Sequence, residues 1–515
     1  MMKTHTKLAL ILSLSSVTLL CACSSSSMYE PSGNPLLDLR NPELLERDRV
    51  AAAQAAWVEV EQGIRDRERT RYAMKNLAWS GGTDTELRLV IIDILMSDRS
   101  TEGDADSRAM ARLLLPTERD QEAVRVIAYH AVESGWDELI PSFVRSLSRP
   151  IPGVPDQDRA EFEAIQRLSG DFPIERVVFD VFLNPTQETA TQQENAVLRS
   201  GDRTRDQAWG LLGRLDQSGE MRDQFISSVD IADERIDAQS RELIEDLRMA
   251  RDELGVLPDT SMEVAWLGSL RHHEDARNRA QNEQWWAETR SAVRSLQDFQ
   301  RQDLRLRNLE PIRWVHQNQP GWLNLDREGV FGLLNSRLRG RTVHKRKPGR
   351  GEEPRLERLG DWIDRMSWGD LLTVLVVDQS LESEQVQKQL FTQRALDKKD
   401  DSTEYGGVIE SGSQFDWRAV LFRPRQRDRI SDERFVASDD MFRFSDRSLA
   451  HYHFHANERN NARHAGPSIQ DLRNALASQR TGVVLTSLSS DELNADVYFG
   501  NGVVVDLGVI DSRSH

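Results

Sequence analysis

The sequence predicts a multidomain chain in which an all-α N-terminal part is followed by a C-terminal mixed α/β domain. Two observations predict this. From about Pro42 to Leu257 the apolar pattern is helical throughout. From about residue 366 the texture changes to short β-branched and apolar runs, with Gly500-Asn501-Gly502 as a hairpin turn. A length of 515 residues leaves room for several domains. The expected boundaries are 42–260 for the helical part, 261–365 for a charged helical bridge and 366–515 for the α/β domain.

Residues 1–22 read as an export signal. Lys3 and Lys7 precede an apolar stretch from Leu8 to Leu20, too short for the roughly 20 residues of a membrane span. It ends at Leu20-Cys21-Ala22-Cys23, which resembles the lipobox of bacterial lipoproteins, with Cys21 an unusual occupant of its position. That resemblance implies cleavage before Cys23 and acyl chains such as palmitate on that cysteine, anchoring the chain to a membrane. Ser24, rather than an aspartate, implies the periplasmic face of the outer membrane. An ordinary secretory signal cut after Ala22 is the alternative. Both cysteines of the chain lie here, so no internal disulfide is expected in the mature protein. Residues 23–41, with Ser24 to Ser27, Pro31, Gly33 and Pro35, read as a flexible tether.

Within the helical part, Ala51 to Trp57 opens a helix of strong formers. Tyr72 to Leu77 and Leu87 to Leu95 follow as a pair, and Ala109 to Leu115 with Ala123 to Ala128 make another. Trp136 to Val144 resembles the second helix of a HEAT-type repeat. Phe162 to Leu168, Ile174 to Phe182 and Ala208 to Leu215 continue the alternation. Pairs recurring at about 35 to 45 residues suit a HEAT-like solenoid, with an irregular bundle as the alternative. Either presents a surface for a protein partner rather than a site for chemistry.

The bridge is charged and helical. Trp285-Trp286 reads as a packing anchor and His272-His273 as solvated. Pro311 to Trp322 is rich in turn formers, while Gly329 to Leu338 and Leu356 to Met366 read as short helices. The basic run from His344 to Arg350 reads as a solvated loop, and a net charge of −17 argues against a nucleic-acid partner.

In the α/β domain Leu371 to Val377, a continuous apolar run with β-branched residues, predicts a buried strand. Glu382 to Leu396 and Ile469 to Ala477 read as helices. Val408-Ile409, Trp417 to Phe422, Leu449 to His455, Val483 to Leu488, Ala495 to Phe499 and Val503 to Val509 read as strands.

This domain holds the only constellation that suggests catalysis. His453 and His455, two apart on a strand, point to one face and reach one metal; His451 falls on that face too. Asp471 follows Ser468 by three residues at a helix start, where Ser468 caps the helix and Asp471 turns back toward the metal. Glu404 precedes Gly406-Gly407, where backbones approach closely. A carboxylate there is placed to take a proton from water and pass it to a leaving amine, and Ser468 to donate to an oxyanion. Glu410 is a second candidate base. There is no phosphate-binding loop, no Gly-x-Ser-x-Gly and no cysteine pair for a structural zinc.

Glu404-x-x-Gly407, His453-x-His455 and Ser468-x-x-Asp471, in that order, resemble the JAMM motif of the JAB/MPN metallopeptidase family. The resemblance covers about Leu371 to Ile510, including Tyr452 before His453 and the run from Thr481 to Ser487. It implies a mixed sheet flanked by helices, zinc held by His453, His455 and Asp471, catalytic roles for Glu404 and Ser468, and hydrolysis of a peptide or isopeptide bond in a protein or peptide substrate. Two features depart from the family. Ala456 stands where proline is usual, and the polar spacer from His455 to Ser468, which contains His464, is longer than usual. A non-catalytic envelope scaffold or binding lipoprotein with such a domain is the competing expectation.

Overall fold

The computed structural model describes residues 32–185, 194–234, 236–344, 357–412, 416–431, 435–456 and 465–513, with residues 194–202 as backbone only. The export signal, Cys23, residues 345–350 of the basic run and His464 lie outside the described residues. The chain divides into two compact units, Met1–Leu139 and Ile140–His515. Among the described residues no helix is long and apolar enough to cross a membrane.

The first unit is helical. Its successive helices are Glu46–Glu61, Arg67–Trp79, Thr85–Ser97, Thr101–Leu114 and Gln121–Ser134. Side-chain caps set their starts: Asp66 accepts from Arg69 N, Ser100 from Gly103 N and Asp120 from Glu122 N. Gly135, at φ 67°, closes the last of them in the left-handed region. The Thr85–Ser97 helix is the centre of this unit. Its Leu87, Ile91 and Leu95 are fully buried, and it packs on both Glu46–Glu61 and Gln121–Ser134.

The second unit joins the remaining helices to one six-stranded sheet. The expected boundary near residue 260 falls inside this unit. The Ser261–His272 helix packs on Ala238–Met249 behind it, on Ala276–Arg294 ahead of it, and on the Ile469–Ser478 helix of the α/β region. Helix packing is thus continuous across residue 260.

The strands are β1 (Gly406–Ser411), β2 (Trp417–Phe422), β3 (Ala450–His455), β4 (Gly482–Ser487), β5 (Glu492–Tyr498) and β6 (Val504–Asp511), in the order β2-β1-β3-β4-β5-β6. β3 and β4 are parallel; every other pair is antiparallel. On one face Tyr452 donates its hydroxyl to Gln393 of the Glu384–Asp397 helix. On the other, Leu472 and Ala475 of the Ile469–Ser478 helix pack on Val484, Tyr498 and Val504.

Three expectations are corrected. Leu371 to Val377 is not a strand but the middle of the Trp368–Leu381 helix. Ser367 caps that helix through Asp370 N at 3.1 Å, and nearly every residue of it is buried, so its sequence carries no polar stripe to reveal a helical period. Pro311 to Trp322 is not a turn region. Pro311 lies inside the buried Leu306–Asn318 helix, whose packing outweighs the missing hydrogen bond, and a short 3-10 turn, Pro320–Asn324, follows. Glu310 of the same helix anchors it, accepting from Trp285 Nε1 at 2.6 Å, Arg313 Nε at 2.7 Å and Ser411 Oγ at 2.8 Å. Finally, His273 is buried: its Nε2 donates to the Arg443 carbonyl at 2.9 Å, while its Nδ1 accepts from Asp275 N. His272 stays half-exposed beside the Asp246 carboxylate at 2.8 Å.

Candidate metal centre

Strand register gathers the site. Gly406 lies opposite His453 in the antiparallel β1–β3 pair, and Phe454 N donates to the Tyr405 carbonyl at 3.0 Å, extending the ladder past the end of β1. Glu404 therefore falls opposite His455 and on the same face as both histidines. One ligand atom from each of Glu404, His453 and His455 lies within 4.8 Å of the others. Asp471 arrives from the first turn of the Ile469–Ser478 helix, with Oδ2 3.5 Å from His453 Nε2 and 4.0 Å from His455 Nε2. His455 Nε2 is also 4.0 Å from Glu404 Oε1.

The capping chemistry expected at the helix start is present. Ser468 Oγ accepts from Asp471 N at 3.1 Å, and Asp471 Oδ2 accepts from Ser468 N at 2.7 Å. The reciprocal pair fixes the Asp471 carboxylate toward the histidines. Packing of Leu472 and Ala475 on the sheet fixes the helix that carries it.

The two glycines after Glu404 are there because of close approach. A Cβ on Gly407 would stand 1.9 Å from the Val420 carbonyl oxygen, and one on Gly406 would stand 2.5 Å from the Phe435 ring. The space left by Gly406 lets Phe435 stack on His453, with planes 3° apart. Asp397, the last residue of the Glu384–Asp397 helix, accepts from Tyr405 N at 2.8 Å and holds the turn that carries Glu404.

Electrostatics bind the groups together. Burial opposes charge on His453, but Asp471, Glu404 and Asp397 outweigh it and raise its pKa above the ordinary imidazole value. Burial would raise Asp471, yet the His453 and His455 rings and the Ser468 N–H hold it well below the usual carboxylate range. His453 is only 3% exposed, and its Nε2 has no hydrogen-bond partner. A buried imidazole nitrogen facing carboxylates, with a second histidine beside it, is a donor set able to hold a metal cation.

The other sequence candidates lie elsewhere. His451 shares the face but turns to Ser445 Oγ at 3.1 Å, and burial and Arg480 hold its pKa well below the ordinary imidazole value. Glu410 pairs with Arg418 at 2.8 Å, across the β1–β2 register. Two residues near the centre carried no sequence signal. Phe435 precedes no recognisable motif, and Tyr498 sits in an ordinary strand run. Tyr498 is buried, and after burial itself the Asp471 and Glu404 charges raise its pKa. Phe435, Tyr498, Phe442, Asn474 and Arg480 wall a cavity of about 300 Å³ that reaches His453 and Asp471. No family model matches the chain, and no curated protein or solved structure matches it either.

Proposed function

We propose that the C-terminal region is a JAMM-like, zinc-dependent hydrolase of a peptide or isopeptide bond. The observation that carries this reading is the convergence of Glu404, His453 and His455, with Asp471 beside them, around the buried Nε2 of His453. In this reading His453, His455 and Asp471 hold zinc, which when bound supplies Lewis acidity toward a carbonyl and acidifies water. Glu404 takes the proton of the attacking water and returns it to the leaving amine. Ser468 keeps its hydroxyl hydrogen free while Oγ accepts from Asp471 N, so it is able to donate to the developing oxyanion. The cavity of about 300 Å³ beside His453 and Asp471 would receive a group of the substrate.

Metal analysis and peptidase assays on matched variants test the assignment. Glu404→Gln keeps zinc and loses hydrolysis, by about 10²-fold or more. Asp471→Asn and His453→Ala lose zinc. Zinc lost in Glu404→Gln but kept in Asp471→Asn exchanges the roles of the two carboxylates. A folded wild-type chain that takes no zinc overturns the reading and leaves a binding scaffold.

We infer also, from Leu20-Cys21-Ala22-Cys23, that the chain is exported and held to the envelope through lipid on Cys23. Cys23→Ser should abolish palmitate labelling and release the protein from the membrane fraction. Retention of the label excludes Cys23 as the site.

A further inference from the structure

Tyr498 stands on the sheet face that carries the histidines. It lies opposite Gly482 in the antiparallel β4–β5 pair, and Gly482 lies opposite His451 in the parallel β3–β4 pair. Val484, two residues along β4, lies opposite His453, so Tyr498, Val484 and His453 share one side of the sheet. Gly482 decides where the tyrosine ring goes. The position a Cβ would take there is 2.2 Å from Tyr498 Cζ and 2.5 and 2.6 Å from its two Cε atoms. The outer end of the ring therefore fills the space above Gly482, which a glycine alone leaves open. The ring crosses from β5 over β4, and its hydroxyl, one bond past Cζ, projects toward β3.

Ala475, Val484 and Val504 pack with the ring. Ala475 lies one turn beyond Asp471, so the helix that braces Tyr498 is the one that brings Asp471 to His453. Tyr498 lines the same cavity as His453, Asp471 and Gly482, and it is 7% exposed. Among the described residues no hydrogen bond engages its hydroxyl. A phenylalanine would pack equally well on Ala475, Val484 and Val504, so packing does not account for the hydroxyl. A phenol is a donor at neutral pH, and burial, with the Asp471 and Glu404 charges, keeps its proton in place.

We propose that Tyr498 is a further catalytic residue, its hydroxyl donating a hydrogen bond to the carbonyl oxygen of the bond that is cut. This inference rests on the hydrolase reading above. As water adds to the carbonyl carbon, the oxygen gains negative charge. A neutral donor fixed in a buried wall holds that oxyanion more tightly than it holds the carbonyl, so its effect falls on the rate rather than on substrate binding. The proton stays on Tyr498 throughout, and Glu404 remains the group that carries one from water to the leaving amine. Tyr498 thus acts beside Ser468, one donor from the sheet and the other from the helix start.

The test compares the full chain with Tyr498→Phe, both loaded with zinc. The probes are an internally quenched peptide library and a phosphinic peptide, whose tetrahedral oxygens stand in for the oxyanion. Tyr498→Phe should keep its zinc and its melting temperature. It should lose about 10²-fold in kcat with KM little changed, and bind the phosphinic peptide more weakly by a similar factor. A packing role alone would lower the melting temperature and leave kcat per folded chain intact, so all rates and affinities are taken below the melting transition. A wild-type chain that takes no zinc overturns the hydrolase reading and this inference with it. Zinc bound in both proteins with equal kcat overturns this inference alone. Where neither protein cleaves the library, the phosphinic peptide decides: weaker binding by Tyr498→Phe supports the assignment, and equal binding or none overturns it.

Discussion

In the proposed zinc site a proton and the metal would compete for one atom, Nε2 of His453. The surrounding carboxylates raise the folded pKa above the ordinary 6.5, so the proton is favoured as pH falls. Zinc affinity should therefore begin to decline above pH 6.5 and fall by about tenfold per pH unit below that; chelator competition across pH measures it, and a flat profile removes His453 from the ligand set. Glu263 offers a second titration, remote from any catalysis. Its carboxylate accepts from Asp259 N at 2.8 Å and Thr260 N at 3.2 Å at a helix start, yet burial raises its pKa from 4.5 to about 7. Between those values the folded chain keeps a proton that the unfolded chain has lost, so stability falls as pH rises through the window, by about 3 kcal/mol. Glu263→Gln should flatten that decline in denaturant unfolding series. The residue types at the metal centre were legible because Glu404, His453, His455, Ser468 and Asp471 lie in short local patterns. Phe435 and Asp397 were not, because each reaches the site through tertiary packing, one over Gly406 and the other onto Tyr405 N.

At the scale of the element, Gly407 tests how closely β1 is held between its neighbours. Gly407→Ala drives a methyl into the Val420 carbonyl, and unfolding should show a loss of about 2 kcal/mol or more. Gly210 gives the opposite sign: it lies inside the Glu194–Leu215 helix with nothing near its Cβ position, so Gly210→Ala should stabilise by about 0.5–1 kcal/mol. Most strands were readable because they are short β-branched or apolar runs, several of them, such as β4 and β5, buried along nearly their whole length. The Trp368–Leu381 helix was misread because burial on all sides erases the period that distinguishes a helix from a strand. Its packing shows the reason: Gly369 lets Asn308 approach so closely that a Cβ would stand 2.9 Å from Asn308 Cγ, and Asn308 Nδ2 donates to Thr373 Oγ1 at 3.0 Å. Such pairings between distant segments leave no trace in a local window.

Across the whole molecule, the same distant pairings decide what folds alone. Trp266 Nε1 donates to the Asp446 carbonyl at 2.8 Å, and Arg313 Nη2 to Ser411 Oγ at 2.8 Å, so helices before residue 320 complete the α/β core. A fragment of residues 366–515 should be unfolded or aggregated, while residues 140–515 should show a cooperative melt by circular dichroism; a cooperative melt from the shorter piece refutes this. The parallel β3–β4 pair adds a constraint in time. Its two strands are joined by residues 456–481, and that connection carries Asp471. Hairpins such as β5–β6 close short loops and form early, whereas the crossover must be ordered before its pairing is rewarded. Asp471 is thus brought to His453 and His455 by closing a loop of more than twenty residues, so the entropy of that closure is set against every contact the candidate centre makes.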